Sequence, residues 1–427
     1  MLETIRSAVD LVDNTGGCVC DLFSGSGTVA SFLAMDRDII ASDIQYYSSV
    51  LCEASIGHLE EKYDAAGIIE SIRKSPTHSK LKEQFGELIE YEQESMNKAQ
   101  SGDIEGVYDI IENGSIFIFL NEEDVNCSEE LLDQLRRVKK HLLDTDGLES
   151  LDTIITRYYG GLYFSYEQAV AMDLIEHFVF EQKGLFHKKL LAALLSTASE
   201  VVNTVGKQFA QPLKVRDSKG NYKRSLKKKI LEDRALDVFE IYYRWLEYYL
   251  NTGERNHHYD IICDDYKTVL RGLRDSKVKV VYADPPYTRY HYSRYYHVLE
   301  TICLHDNPSI TTTFSNGKGG ISRAIYRAGR HQSPFCIKSQ AEKAFDDLFQ
   351  GVKDIPAALV LSYSPFEPGQ AVTPRLQTID QLIEKAKQYY QNVTTMSPGA
   401  FTHSKLNATD KNFEANHEAE VLIICKN

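Results

Sequence analysis

The chain has 427 residues, 43% hydrophobic and 26% charged, enough to bury a large core and more in keeping with two domains than one. A net charge of −13 excludes nucleic-acid binding by overall charge and leaves only local basic clusters to meet phosphate. No apolar stretch reaches the length of a membrane span and no basic-then-apolar leader opens the chain, so a cytoplasmic enzyme with no membrane partner is expected.

Residues 1–60 read as helix, strand, glycine turn, helix and strand, the start of a βαβ unit. In Gly17-Cys18-Val19-Cys20-Asp21-Leu22-Phe23-Ser24-Gly25-Ser26-Gly27-Thr28 a short strand runs into a glycine turn and a helix. Gly25 and Gly27 let the backbone bend tightly and approach a ligand, and the helix start behind them offers free amides. Cys18 and Cys20 share one face of the strand. With no CxxC pair among the eight cysteines, no metal site is expected.

One strand later, 39–43 ends in Asp43, a carboxylate able to accept from a ribose diol. The glycine turn suits any adenosine-containing cofactor, because residues 25–30 also read as the GxGxxA of a nicotinamide site; a turn with no ligand stays open too. Asp21 tilts the choice. A carboxylate at the strand end suits the cationic amine of S-adenosyl-L-methionine and would repel a pyrophosphate.

Residues 61–254 read as a mostly helical insertion, with apolar-faced helices at 190–202 and 231–250. Within it Lys214, Arg216, Lys219, Lys223, Arg224, Lys227, Lys228 and Lys229 are opposed only by Asp217. Such a run is either a solvated loop or a local phosphate-binding footprint. Strands then return at 259–263, 278–283, 357–362 and 419–425, with helical patterns between several of them. That alternation predicts an α/β fold of Rossmann type: a mainly parallel sheet covered on both faces, built from 1–60 and 255–427 and interrupted by the insertion.

The most informative stretch is Val278-Lys279-Val280-Val281-Tyr282-Ala283-Asp284-Pro285-Pro286-Tyr287. A buried parallel strand ends at Asp284, on the carboxyl edge where open α/β sheets bind ligands. Pro285 and Pro286 fix φ and remove two amide donors, leaving a rigid cluster of acceptors in the Asp284 carboxylate and the Pro285 carbonyl. Two fixed acceptors would hold both protons of an exocyclic amine and aim its lone pair at a methyl donor. Tyr287 supplies an aromatic face for a base drawn out of its duplex. An Asp-Pro turn that merely closes a strand is the plain alternative.

At these residues the chain resembles the adenine-N6 DNA methyltransferases of the D12, Dam-like class, whose recognition region lies between the glycine motif and Asp-Pro-Pro-Tyr. Residues 287–300, 194–206, 361–364 and 420–423 resemble further segments of that class; 61–150 are not placed by it. The resemblance implies a class I methyltransferase sheet and S-adenosyl-L-methionine as cofactor. Asp21, Phe23, Gly25 and Gly27 would meet its methionine part, Asp43 its ribose, and Asp264 or Asp265 its adenine amine. Asp284, Pro285, Pro286 and Tyr287 would form the catalytic motif around the target adenine, with His403, Lys405 and Asn407 in a loop near the flipped base.

Double-stranded DNA is the implied partner, with further subunits of a restriction or defence system as possible company. It would be met by Lys214, Arg216, Lys223, Arg224, Lys227 and Lys228, by Arg289, Tyr290 and His291, and by Arg323, Arg327 and Arg330. Members of the class also carry a Gly-Ser-Lys-like segment before the first strand, and Met1 here falls within the helix that would follow it. Cytosine-N4 methylation, RNA adenine methylation and a non-catalytic DNA-binding subunit stay open at this point.

Overall fold

β-branched and aromatic residues crowd the stretches that become the central strands, and both faces of those strands are apolar, as a sheet covered on two sides requires. The computed structural model describes residues 1–122, 125–288, 291–315, 318–364, 376–397, 402–403, 413–414 and 420–427. Two compact units divide it: Met1–Glu60, Thr252–Ser293 and His331–Asn427 form the first, Glu61–Asn251 and Arg294–Arg330 the second. The second unit thus takes in 294–330 as well as the central stretch.

The first unit holds seven strands: β1 (Cys18–Asp21), β2 (Ile39–Asp43), β3 (Tyr259–Cys263), β4 (Val278–Ala283), β5 (Ala358–Tyr363), β6 (Asn392–Met396) and β7 (Val421–Lys426). Their order is β3-β2-β1-β4-β5-β7-β6, all parallel except β7, which runs against both of its neighbours. Chain order reverses between β1 and β4, so the ligand-binding crevice of such a sheet lies beyond the carboxyl ends of those two strands.

Alternation splits the core cleanly. Val19, Val280, Tyr282, Val360 and Leu422 enter one face together with Ile5, Val9 and Leu33. Cys20, Val281, Leu359, Leu361 and Ile423 enter the other with Phe345, Leu348 and Phe349. Each such side chain contributes about 1.5–3 kcal/mol on burial. A one-residue slip of β4 would exchange the two sets.

The strand at 392–396 was not expected from the sequence. As an edge strand, reading Asn-Val-Thr-Thr-Met with three of five positions exposed, it carries no apolar run to signal itself. The single helix expected at 231–250 is two, Lys227–Arg234 and Val238–Leu250. Asp237 stops and restarts it, accepting from the Glu240 amide at 2.9 Å as an N-cap.

The second unit is mostly helical, with Pro76–Gln100, Tyr166–Phe180 and Gly184–Val201 among its longer helices. Two of its buried acids are well partnered. Glu92 meets the Arg234 guanidinium and accepts from the Tyr166 amide at 2.6 Å. Asp173 takes the Ile155 and Thr156 amides at 2.7 and 2.9 Å.

Candidate active site at the carboxyl edge

The glycine turn after β1 is held from three sides. Gly27 has φ 76°, and a Cβ there would lie 2.8 Å from the Cys52 Cα, so only glycine fits. Gly25 has φ 52°, and a Cβ there would meet no other atom, so the backbone of the turn is uncovered at this point. Asp43, at the end of β2, accepts from the Gly25 amide at 3.1 Å and from the Gln45 amide at 2.9 Å. The Ser48 hydroxyl and the Ile44 amide also favour its charge. Ser48 donates to the Gly25 carbonyl, and the Ser24 amide donates to Ser42 at 2.9 Å.

Asp21, the last residue of β1, is 1% exposed. Neither of its carboxylate oxygens has a hydrogen-bond partner among the described residues. Burial, and then the charge of Asp43, push its carboxyl from 3.8 up to about 7; the amides of Ala30 and Phe23 favour its charge from beyond hydrogen-bonding geometry. An unpaired buried carboxylate is costly, and a cationic ligand group would relieve it.

Asp284 follows β4 directly and is open to solvent. The surrounding protein, then the charges of Glu420 and Asp21, push its carboxyl well above the ordinary range. Pro285 is buried and Pro286 half-buried. The Pro286 carbonyl accepts from the buried Cys336 thiol at 3.9 Å, so it faces the protein interior. Tyr287 is half-buried, its ring 4.9 Å from that of Tyr363 and tilted by 53°.

Phe23 lies 5.7 Å from Tyr266 and 5.5 Å from Phe335, a half-buried aromatic wall beside the turn. After β3, Asp264 accepts from the Asp265 amide at 2.6 Å, and Asp265 caps the helix Tyr266–Gly272 through the Lys267 amide at 3.0 Å. Each uses one oxygen locally, so both still qualify for a cofactor amine.

Asp21, Phe23, Gly25, Gly27, Asp43, Asp264, Asp265 and the 284–287 motif thus gather at one edge of one sheet. Sequence reasoning missed two residues there. Glu420 precedes β7 and accepts from Ser362 Oγ. His331 feels the charges of Asp43 and Asp265, although burial dominates and holds its imidazole below the ordinary value. Glu420 was legible only as a carboxylate opening an apolar strand, and its neighbours depend on strand register.

The expected DNA-contacting residues divide. Around the loop at 215–223, Arg216 bridges to Tyr222 and the Lys223 amide donates to Val215 at 2.8 Å. Lys214, Arg224 and Lys228 are exposed, Lys223 and Lys227 half-exposed. Arg216 is partly engaged, 2.6 Å from Glu112 and stacked 3.9 Å over Tyr222. Arg323 turns inward to the Ile111 and Leu213 carbonyls at 2.9 and 3.2 Å. Arg327 is clamped bidentately by Asp306 at 2.5 and 2.8 Å, while Arg330 lies 4.5 Å over Tyr326. His291 is half-buried. Arg289, Tyr290, Lys405 and Asn407 lie outside the described residues, and of His403 only the backbone is described, in the short strand Thr402–His403.

Among the described residues no group of His, Cys, Asp and Glu could hold a metal, and no helix is long and apolar enough to cross a membrane.

Three relatives are similar over most of the chain. Modification methylase LlaI of Lactococcus lactis subsp. lactis is 24% identical over 432 residues, covering 100% of this chain and 53% of the relative. Type II methyltransferase M.FokI of Planomicrobium okeanokoites is 25% identical over 372 residues, 82% of this chain and 42% of the relative. Type II methyltransferase M.NlaIII of Neisseria lactamica is 22% identical over 334 residues, 78% and 70% respectively. The chain therefore spans about half the length of the first two. No solved structure matches it significantly. The family model for the D12 class matches residues 2–180 and 214–350, including the 61–150 stretch that the sequence motifs left unplaced. With Asp284-Pro285-Pro286-Tyr287 at the switch point of a mainly parallel sheet and the glycine turn beside it, the chain belongs to the D12 class of N6 adenine-specific DNA methyltransferases.

Proposed function

We propose that the chain transfers a methyl group from S-adenosyl-L-methionine to N6 of a flipped-out adenine in double-stranded DNA, in a restriction-modification setting like those its relatives are named for. The observation that carries this reading is the pairing of a buried, unpartnered Asp21 with a solvent-reached Asp284 across the crevice between β1 and β4. The neighbouring charges acting on both are all negative. The residues present fit a cofactor with a cationic amino-acid end, and the open space at Gly25 leaves bare backbone for it.

In this reading Asp21 takes the cofactor's ammonium, Phe23, Gly25 and Gly27 line its methionine part, and Asp43 accepts from the ribose. Asp264 or Asp265 accepts from its adenine amine. The bound cofactor supplies an electrophilic methyl group. Asp284 and the Pro285 carbonyl accept the two protons of the target amine; Pro286 locks their geometry. Tyr287 lies against the base, which must leave the duplex to arrive there. Holding both protons turns the nitrogen lone pair outward, and the fixed negative end of Asp284 stabilises the positive charge that grows on nitrogen.

The first unit would be the catalytic domain and the second, which carries the basic loop, the target-recognition domain. Lys214, Lys223, Arg224, Lys227 and Lys228, with Arg216 in part, are the phosphate-contacting candidates; Arg289, Tyr290 and His291 are candidates near the base. Arg323 and Arg327 are already committed inside the second unit, which leaves Arg330 as the candidate of its group.

The test is incubation with tritiated S-adenosyl-L-methionine and unmethylated bacterial DNA, beside Asp284→Ala, followed by nucleoside identification. Label in N6-methyladenine that vanishes in the variant is expected. Label in N4-methylcytosine would transfer the mechanism to another base. No label, with no cofactor binding by calorimetry, would overturn the reading.

A further inference from the structure

Asp284 has a partner that its own motif does not announce. β5 runs parallel to β4 with Leu361 opposite Ala283, so Asp284 lies level with Ser362. β7 runs antiparallel to β5 with Val421 opposite Tyr363, so Glu420 lies level with Ser364. Alternation puts Ser362 and Glu420 on the face that carries Asp21, Tyr282 and Asp284. Ser362 Oγ donates to Glu420 Oε1, which orients the carboxylate. Of the charges acting on Asp284, Glu420 is the strongest, ahead of Asp21. Asp43, at the far end of the row, is tied to the Gly25 and Gln45 amides.

We propose that Glu420 and Asp284 form one proton-holding pair, which receives the proton that leaves the target amine on methylation. This rests on the reading of Asp284 as the residue that holds that amine. As the nitrogen lone pair bonds to the methyl carbon, the methyl–sulfur bond breaks and its electrons stay on sulfur. N6 then carries the methyl group, two protons and a positive charge. One N–H bond breaks, its electrons return to nitrogen, and the proton passes to the Asp284 carboxylate. The surrounding protein already favours the protonated form of Asp284. A second carboxylate beside it raises the pair's affinity for the first proton, because protonation relieves the repulsion. That places the acceptor near the pH at which a base works best. Glu420 is thus a positioning residue, acting through Asp284, and the proton leaves the pair to water at the solvent-reached side.

The test combines two readouts on Glu420→Gln, which keeps the shape and removes the charge. In single-turnover methyl transfer at saturating cofactor and DNA, the acid limb of the pH–rate profile should move down by about one pH unit, with the plateau lowered about tenfold or more. Glu420→Asp, which keeps the charge, should restore the limb. Separately, infrared titration of the protein without cofactor or DNA follows the protonated-carboxyl band. It is run in an Asp21→Asn background, because Asp21 is itself raised to about 7, and is read as a difference between proteins, in which the raised carboxyls of Asp43, Glu92, Asp173 and Glu176 cancel. Adding Glu420→Gln should shift one high carboxyl component to lower pH in that difference.

An unmoved limb and an unmoved titration in a folded Glu420→Gln would overturn the proposal. Should that variant fail to fold, Asp284→Asn in the same background carries the infrared arm, since its side chain is exposed. One high component should then be missing relative to the background protein, and a band identical in the two proteins would overturn the pair. If the wild-type protein methylates no DNA, the methyl-transfer reading fails, and the infrared arm alone decides whether the two carboxylates titrate as a unit.

Discussion

Asp21→Asn should make the cofactor-free protein more stable and the cofactor-bound state weaker. The carboxyl is buried without a partner among the described residues, and its ordinary value of 3.8 is raised to about 7. That difference corresponds to about 4 kcal/mol between the charged group in water and in the fold. The sign follows from linkage. The native state binds this proton more tightly than the unfolded chain does, so the stability it contributes is fully present below 3.8 and is lost as pH rises through about 7. Asparagine carries no such penalty. The variant should match the wild type near pH 4, gain stability through the acid range, and level off above neutrality.

With some relaxation of the site the plateau gain is expected at about 2–4 kcal/mol. Denaturant unfolding of the cofactor-free protein at pH 5 and pH 8 measures it, and the gain at pH 5 should be well under half of that at pH 8. Titration calorimetry with S-adenosyl-L-methionine should show the opposite effect. Losing one charge-assisted bond of about 1.5–3 kcal/mol weakens binding by about ten- to a hundredfold. Equal gains at both pH values would refute the buried-charge account, and an unchanged affinity would refute the ligand assignment. A variant that lost both stability and affinity would make Asp21 a structural residue.

Asp284→Asn should lower methyl transfer by about a hundredfold or more while leaving cofactor affinity within about twofold, read by single-turnover kinetics and calorimetry on one preparation. The two glycines should part company in the same assays. Gly27→Ala drives a Cβ to 2.8 Å from the Cys52 backbone at φ 76° and should destabilise the first unit strongly, whereas Gly25→Ala meets open space and should cost only the backbone strain of φ 52°, about 1–2 kcal/mol, while binding cofactor poorly. Each alanine at Lys214, Arg224 or Lys228 should weaken binding of any duplex sequence and lower the slope of log affinity against log salt by about one. Arg323→Ala should instead leave that slope unchanged and destabilise the second unit by about 1–3 kcal/mol, because two buried carbonyls lose their donor.

The sheet and the motifs of the candidate site were legible because they depend on local features. A strand ending in Asp-Pro-Pro-Tyr and a glycine turn after a short apolar strand carry their conformations in their own residues, and β1 to β4 stand where the pattern put them. What could not be read depends on pairing. The edge strand β6 has no apolar period, and Glu420 gains its meaning only when β7 is laid against β5 in register. The arginines at 323 and 327 matched a DNA-contacting pattern by type and spacing. Their partners, the Ile111 and Leu213 carbonyls and Asp306, are distant or unremarkable in sequence. Charge type is visible in a sequence, whereas commitment of that charge is a property of the fold.

Commitment is also what separates the acids of the carboxyl edge from one another. Asp43 and Asp265 look in sequence like Asp21, but each is tied to backbone amides and shapes the loop it ends. The second unit shows how this chain treats buried acids that serve the fold: Glu92 has Arg234 and an amide, and Asp173 has two amides. Glu176, also fully buried and without a hydrogen bond to either oxygen, at least has His305 Nδ1 at 3.3 Å; Asp21 has no hydrogen-bond or ion-pair partner among the described residues and stands at the ligand-binding crevice. A cost of about 4 kcal/mol carried by the empty site becomes part of the discrimination once a ligand arrives, because only a cation removes it. A neutral or anionic adenosine compound would have to bear that cost in addition to its own desolvation. In the proposed reading, selection for a cationic cofactor thus resides in the empty protein, as an unmet charge at the end of β1.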